Sequence, residues 1–296
     1  MPSPSEKKNA FHAALLSAPA TLWLLVFFLV PLSFIIGISF LTNGSYGELE
    51  RPLTFDNYKR FLGFSTFGWE AIYPGIVARS LLLAALTMLL CVVLGLPLAF
   101  WISSLPPRWK TLALTLVVIP LWTNLLIRTY AWQMLLAPQG VLAKALATLG
   151  LTQAGESLYP GTFAVCIGMV CDYLPFLVLP LYASVEKVDW TLAEAARDLG
   201  ASGWRVFRHG VLPQIVPGLA AGIILVFVPA TGQFVIPDLL GGSRTVLLGN
   251  AIQQQFGAGR NWPFGSAVAT AAMLIVLAAL WFNARMARRK GALELP

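Results

Sequence analysis

Six stretches of about twenty or more apolar residues constrain this 296-residue chain more than any other feature of it. A helix rising 1.5 Å per residue needs about 20 residues to cross a hydrocarbon core about 30 Å thick. The stretches fall at about 18–40, 77–102, 112–136, 161–183, 213–236 and 265–284. Lipid offers no partner to backbone N–H and C=O groups, so spanning segments of this length must be helical. The residues are 57% hydrophobic and only 11% charged, whereas about a quarter of a soluble globule is charged. No linker domain, low-complexity tract or internal repeat breaks the pattern, so residues 1–296 read as one all-α transmembrane domain of six spans. The first run continues unbroken from Ala18 to Phe40 after Lys7 and Lys8, which is long for a cleaved signal and predicts a retained anchor. Proline and glycine punctuate the other runs, with Gly95 and Pro97, Pro120, Pro175 and Pro180, then Pro217 and Pro229. Membrane helices accept such breaks where neighbours satisfy the freed backbone groups.

The formal charge of +7 follows the orientation of the spans rather than marking a nucleic-acid partner, because no basic stripe with interleaved aromatics stands apart from them. Twelve Lys and Arg gather on one side of the runs, among them Lys7, Lys8, Arg108, Lys110, Lys187 and Arg197, against six on the other. Excess basic charge stays in the cytoplasm. Both termini are therefore expected there, in a multi-pass protein of a bacterial inner membrane surrounded by lipid. Cys91, Cys166 and Cys171 lie inside apolar runs, and His12 and His209 are the only histidines. This set predicts packing thiols, with no disulfide, metal centre or cofactor.

The loop between the fourth and fifth spans is the most informative segment, and by the charge rule it is cytoplasmic. Thr191 and Glu194 have the T-x-x-E spacing of a capping box, which predicts a helix start. Leu192, Ala195, Ala196 and Leu199 then recur at i, i+3, i+4 and i+7, giving one apolar face of small residues. Gly200 suits the left-handed position that ends a helix. Ser202 can cap a second short helix, with Trp204, Phe207 and Val211 on one face, closed by Pro213 at the start of the fifth span. An amphipathic hairpin lying on lipid is the competing reading. Four basic residues (Lys187, Arg197, Arg205, Arg208) balance four acidic ones (Glu186, Asp189, Glu194, Asp198), which suits a protein groove better than an anionic membrane.

The run Glu194-Ala195-Ala196 with Asp198, Gly200 four positions after Ala196, and Leu212-Pro213 resemble the EAA motif of type I ABC importer permeases. The resemblance implies that residues 191–209 dock into a cleft of a cytoplasmic ATPase. It also implies two copies of that ATP-binding subunit, a second homologous permease and a periplasmic solute-binding protein. Four longer segments, at 120–136, 172–201, 228–242 and 261–267, are similar to the polyamine (spermidine/putrescine) permease group. That group also includes carriers of opines and related small solutes. The chain lacks a G-x-x-x-x-G-K-[ST] phosphate loop, so ATP hydrolysis is expected in separate subunits and the chain itself is not expected to be an enzyme. An ion-coupled secondary transporter is the alternative class, but it would leave the docking loop unexplained and usually shows inverted repeats.

An ionisable residue inside a span is a functional candidate, because burying it unpaired is costly. Asp172 lies ten residues beyond Thr162, roughly 15 Å along its helix. Either it forms a cation site with the aromatic face of Tyr173, or it pairs with a donor from another helix. Gln233, Phe234 and Asp238 are expected at the outer end of the fifth span, where they either line the mouth of the pathway or contact a docked solute receptor. Arg128 lies sixteen residues after Leu112, roughly 24 Å along its helix and so near the outer boundary, where it can snorkel or pair with Asp238 or a backbone carbonyl as a structural or gating group. Trp122, Tyr130, Trp132 and Trp262 read as an interfacial aromatic belt.

Overall fold

The computed structural model describes residues 16–44, 48–65, 68–150, 153, 157–242 and 245–293. Helices dominate, as the apolar runs require. They are α1 (Leu16–Ile38), α2 (Asp56–Phe61), α3 (Ile72–Ser104), α4 (Pro107–Trp122), α5 (Leu125–Leu136), α6 (Val141–Thr148), α7 (Thr162–Val185), α8 (Trp190–Asp198), α9 (Gly203–Gly232), α10 (Leu248–Phe256) and α11 (Trp262–Leu293). Among the described residues, α1, α3, α7, α9 and α11 are long and apolar enough to cross a membrane, and the bent pair beginning with α4 and α5 makes a sixth when counted as one span.

Residue contacts divide the chain into two compact units, residues 1–73 with 252–282 and residues 74–251 with 283–296. In the first, α1 buries none of its residues within the chain. The loop after it folds through two short antiparallel ribbons, β1 (Thr42–Asn43) with β2 (Leu49–Glu50) and β3 (Phe64–Ser65) with β4 (Gly68–Trp69). Asn57 anchors this loop by donating from Nδ2 to the carbonyls of Ser39 and Leu41, both at 2.9 Å. Phe40 packs against Phe55 and Tyr58, each with ring centroids 5.3 Å apart. The Arg60 guanidinium sits 4.4 Å from the centre of the Phe264 ring near the start of α11.

The second unit is built on α7, the span with the largest buried share, and α9 packs along it more extensively than any other helix. Small residues permit that approach, as is common between membrane helices. A β-carbon on Gly222 would stand 3.0 Å from the Leu177 carbonyl oxygen, and one on Gly218 would collide with Pro180 and Ser184. Leu177, Leu181 and Ile215 are fully buried in the resulting core.

Two spans differ from the sequence expectation. The third, expected as one helix over 112–136, is broken between α4 and α5 and bends by 98°. Pro120 sits in the last turn of α4, Thr123 is extended (ψ 147°), and Asn124 caps the next helix by accepting from the amides of Leu126 and Ile127. Its short side chain offers those amides a local partner, which starts a new helix. The fifth, expected from 213 to 236, begins ten residues earlier at Gly203 and ends at Gly232. Pro213 does not separate a second loop helix from the span. Instead Phe207–Val211 widens into a π turn, with the Leu212 amide bonded to the Phe207 carbonyl. Proline has no N–H for the carbonyl one turn back, and a wider turn lets the helix continue past it.

Candidate functional site

The loop after α7 is fixed by short-range chemistry. The α8 helix starts at Asp189, whose carboxylate accepts from the Thr191 amide at 3.0 Å and the Thr191 hydroxyl at 2.7 Å. Those bonds hold the Asp189 carboxyl below its ordinary pKa. The expected Thr191–Glu194 capping box is therefore displaced by two residues, since an anionic oxygen accepts more strongly than a hydroxyl. At the other end, Gly200 has φ +82°, its amide bonds to the Arg197 carbonyl, and the Ala201 amide bonds to Ala196. This pair of bonds is the Schellman arrangement, and a left-handed glycine at its centre is what the sequence predicted. Ser202 occupies the N-cap position of α9, although its side chain makes no cap bond.

Which face of α8 points outward matters most for function. Ala193 is buried against the core, whereas Leu192 is 55% and Leu199 89% exposed. Glu194, Ala195 and Asp198 are also exposed, and Ala196 is half-buried. The apolar stripe identified in the sequence thus turns away from this chain. Beside it, Trp204 is exposed and stacks on Phe207 at 5.8 Å, and Phe207 meets Phe100 of α3 at 6.2 Å. Trp190, Phe100, Arg197 and Phe207 line a recess of about 240 Å³. Leu212 is half-buried and Pro213 exposed where the loop helix runs on into the span.

Two braces hold the loop to the spans. Gln214 accepts from the Asp189 amide at 2.9 Å and donates to the Gly210 carbonyl at 2.7 Å. Lys110 at the start of α4 bonds Glu186 at 2.8 Å. The ammonium group, together with the Tyr182 hydroxyl, holds the Glu186 carboxyl below its ordinary range.

The polar residues inside the spans are arranged by long-range contacts. Arg128, on the first turn of α5, forms an ion pair with Asp172 of α7 and donates to the Pro120 carbonyl at the break. The bonded carbonyl was among the expected partners of Arg128, but Asp238 was the wrong carboxylate. Counting along an unbroken helix had misplaced the arginine, because the bend at Thr123–Asn124 redirects α5. Asp172 is buried, and its partner is a donor from another helix, the second of the two roles the sequence left open.

Tyr173 and Gln233 do come together, with the Gln233 side-chain amide donating to the Tyr173 hydroxyl at 3.1 Å. Gln233 also accepts from the amides of Phe234 and Val235 where α9 ends. Asn250 donates to the Phe234 carbonyl at 3.0 Å, and Gln133 of α5 donates to the Leu239 carbonyl at 2.6 Å. The turn at Gln233–Phe234 after α9 and the π-helical segment beyond it are thus bonded in part by side chains from elsewhere in this unit, as irregular backbone within a membrane protein must be. Asp238 is exposed and lies in the first turn of the π-helical segment Pro237–Gly241. Trp122, Tyr130 and Trp262 are exposed, as belt residues are, whereas Trp132 packs against the core.

Sequence reasoning missed Asp189, Gln214, Gln133 and Asn250. The first was legible, because Asp189-Trp190-Thr191 places an acceptor two residues before a free amide. The amides at 133 and 250 carry no local signal, since their partners lie 106 and 16 residues away.

Fold and loop together define an all-helical, multi-span membrane component carrying an outward-turned apolar helix between two of its spans. The family model of the binding-protein-dependent transport system inner membrane component matches residues 92–291, and the chain belongs to that family. Its relatives include the spermidine/putrescine transport system permease protein PotB of Haemophilus influenzae, 38% identical over 275 residues, which cover 92% of this chain and 94% of that protein. The protein of the same name from Escherichia coli is 40% identical over 275 residues, 92% of this chain and 98% of that one. The fold resembles a chain of a bacterial ABC transporter involved in the import of the acidic polysaccharide alginate, with a TM-score of 0.70 at 20% identity over 96% of this chain and 98% of that chain.

Proposed function

We propose that this chain is the permease subunit of an ATP-driven importer that moves a small organic polycation, of the spermidine or putrescine kind, across the inner membrane. The observation that carries the reading is the exposed apolar face of α8 beside the left-handed turn at Gly200. An outward face of Leu192, Ala195 and Leu199 has little reason to exist in water unless another protein covers it. In this reading Glu194, Ala195, Ala196, Asp198 and Gly200, with Leu212 and Pro213 behind them, engage one of two ATP-binding subunits. Hydrolysis belongs to those subunits. A second homologous permease completes the route, and a periplasmic solute-binding protein delivers the solute.

The geometry suits mechanical coupling. From Gly203 to Gly232 the chain is one helix of 30 residues, roughly 45 Å long, with a π turn at Phe207–Val211 and prolines at 213, 217 and 229, so a displacement at the docking loop is passed along it toward the far end of the fifth span. There it meets Gln233 and Phe234, and through Gln233 the hydroxyl of Tyr173. These residues, with Asp172 behind them and Asp238 beyond, form the proposed solute pathway. The substrate class is supported by the relatives that cover nearly the whole chain. A zwitterionic solute such as an opine or an amino acid is the second reading, favoured by the cancellation of Asp172 by Arg128.

Uptake competition in cells expressing the full complex separates the two. Spermidine and putrescine should compete with each other, and opines or basic amino acids should not. Co-purification should return a stoichiometric ATPase, and its consistent absence would remove the docking role. Reporter fusions near Asn43, Gly150 and Gly249 should read periplasmic, and those near Pro107, Ser202 and Ala292 cytoplasmic. A periplasmic signal at Ser202 would overturn the arrangement, since the loop could not then meet an ATPase.

A further inference from the structure

Arg128 and Asp172 are ionisable groups in the membrane, and the pathway described above gives the arginine no task. Their side chains are 17% and 11% exposed, and they pair with each other across α5 and α7. The guanidinium also donates to the Pro120 carbonyl at the break in the third span, which accepts from the Thr123 hydroxyl at 2.7 Å as well. It lines an apolar cleft of about 620 Å³ together with Pro120, Trp132 and Cys171, the neighbour of Asp172. On the other side, Tyr173 bonds Gln233 at the end of α9. The pair therefore stands between an open cleft and the polar break of the fifth span.

Each charge cancels the other. A passing cation meets neither a fixed carboxylate that would trap it nor a fixed guanidinium that would repel it. Removing one partner would leave a unit charge whose influence grows with the charge of the solute. At an effective dielectric of about 20 and a separation of about 12 Å, each additional positive charge on the solute would change that interaction by a factor of about ten.

We propose that the Arg128–Asp172 pair is the specificity-determining charge element of the route, its balance setting how a triply charged solute is carried relative to a doubly charged one. The proposal rests on the polycation reading given above. The test uses the full complex with its binding protein in proteoliposomes, comparing uptake of a diamine (putrescine) and a triamine (spermidine).

Arg128→Gln keeps a donor for the Pro120 carbonyl but frees the carboxylate. It should lower the half-saturating concentration and reduce the maximal triamine-to-diamine uptake ratio about tenfold. Asp172→Asn frees the guanidinium. It should reduce the same ratio by about the same factor while raising the half-saturating concentration. The double variant is neutral again and should return to the wild-type ratio. A merely structural latch would instead slow both cations equally in each single variant, and that result would overturn the proposal, as would a double variant with the ratio still shifted. Arg128→Lys provides the check should either neutral variant not assemble. It keeps the charge without the two-pronged geometry, so an unchanged ratio supports the proposal and a tenfold shift overturns it. If the wild-type complex moves neither amine, the polycation reading falls and takes this inference with it. Wild-type transport of both amines without the shifts would sink this inference alone.

Discussion

The loop from Asp189 to Pro213 and the broken third span are organised in opposite ways. In the loop, apolar side chains are turned outward, and most of the bonds that hold the backbone span two to five residues, with Gln214 and Lys110 bracing it from farther off. Asp189 reaches Thr191, and Gly200 closes on Arg197. At the break, Asn124 caps locally, but half-buried polar side chains also reach far along the sequence. Arg128 finds Asp172 44 residues on, and Gln133 finds Leu239 106 residues on. The environment accounts for the contrast. Outside the bilayer, water can satisfy what a loop leaves unbonded, so local caps carry most of its backbone. Within the bilayer no water is available, so a polar atom released by a break must be bonded within the protein. A surface loop can be written mostly locally, whereas a bend among packed spans also requires the rest of the fold.

Four variants press on that contrast, beginning with the strongest effect. Gly200→Asp should take transport to background while the protein stays in the membrane. No atom lies within 4 Å of the added β-carbon, so the fault is conformational, about 1 kcal/mol at a left-handed residue, and falls on the angle between α8 and α9. Uptake and ATPase association at wild-type levels would show that the loop tolerates other turns. Gly218→Leu tests the long-range side, because its β-carbon would meet Pro180 and Ser184. Overpacking there should cost about 3 kcal/mol, read as a lower melting temperature in detergent, and an unchanged melting temperature would mean that the α7–α9 contact is looser than the distances imply.

Gln133→Leu removes the donor to the Leu239 carbonyl. Leaving that oxygen without a partner should cost about 2 kcal/mol and speed amide exchange around Pro237–Gly241, whereas exchange confined to α5 would show that the carbonyl is satisfied another way. The smallest change is Glu186→Gln, since an exposed ion pair contributes less than about 1 kcal/mol. The pairing with Lys110 lowers the folded-state pKa of Glu186 below the ordinary glutamate value of 4.5. Its stabilisation is therefore complete above that unfolded value and is lost as pH falls through the lower folded one. Melting temperatures of wild type and variant should converge between about pH 5 and pH 3. A gap that persists in acid, or one insensitive to salt, would mean that Glu186 acts through packing rather than charge.

The amino-acid sequence by itself determined the six apolar segments, the predominantly helical class, the apolar stripe of α8 and the turn at Gly200. Each depends on residues within about 26 positions of one another, a range in which hydrophobic periodicity and capping chemistry are nearly independent of the rest of the chain. Tertiary structure decided where the third span breaks, that the fifth begins inside the loop, and that Asp172 faces Arg128 rather than standing alone. Proline and asparagine marked the break as possible, but α-helix and bend both satisfy the local sequence, and only the packing of α5 beside α7 selects between them. Buried charge completes the choice, because a carboxylate and a guanidinium in hydrocarbon must find each other, and which pair meets depends on how the spans fold together rather than on where either residue lies in the sequence.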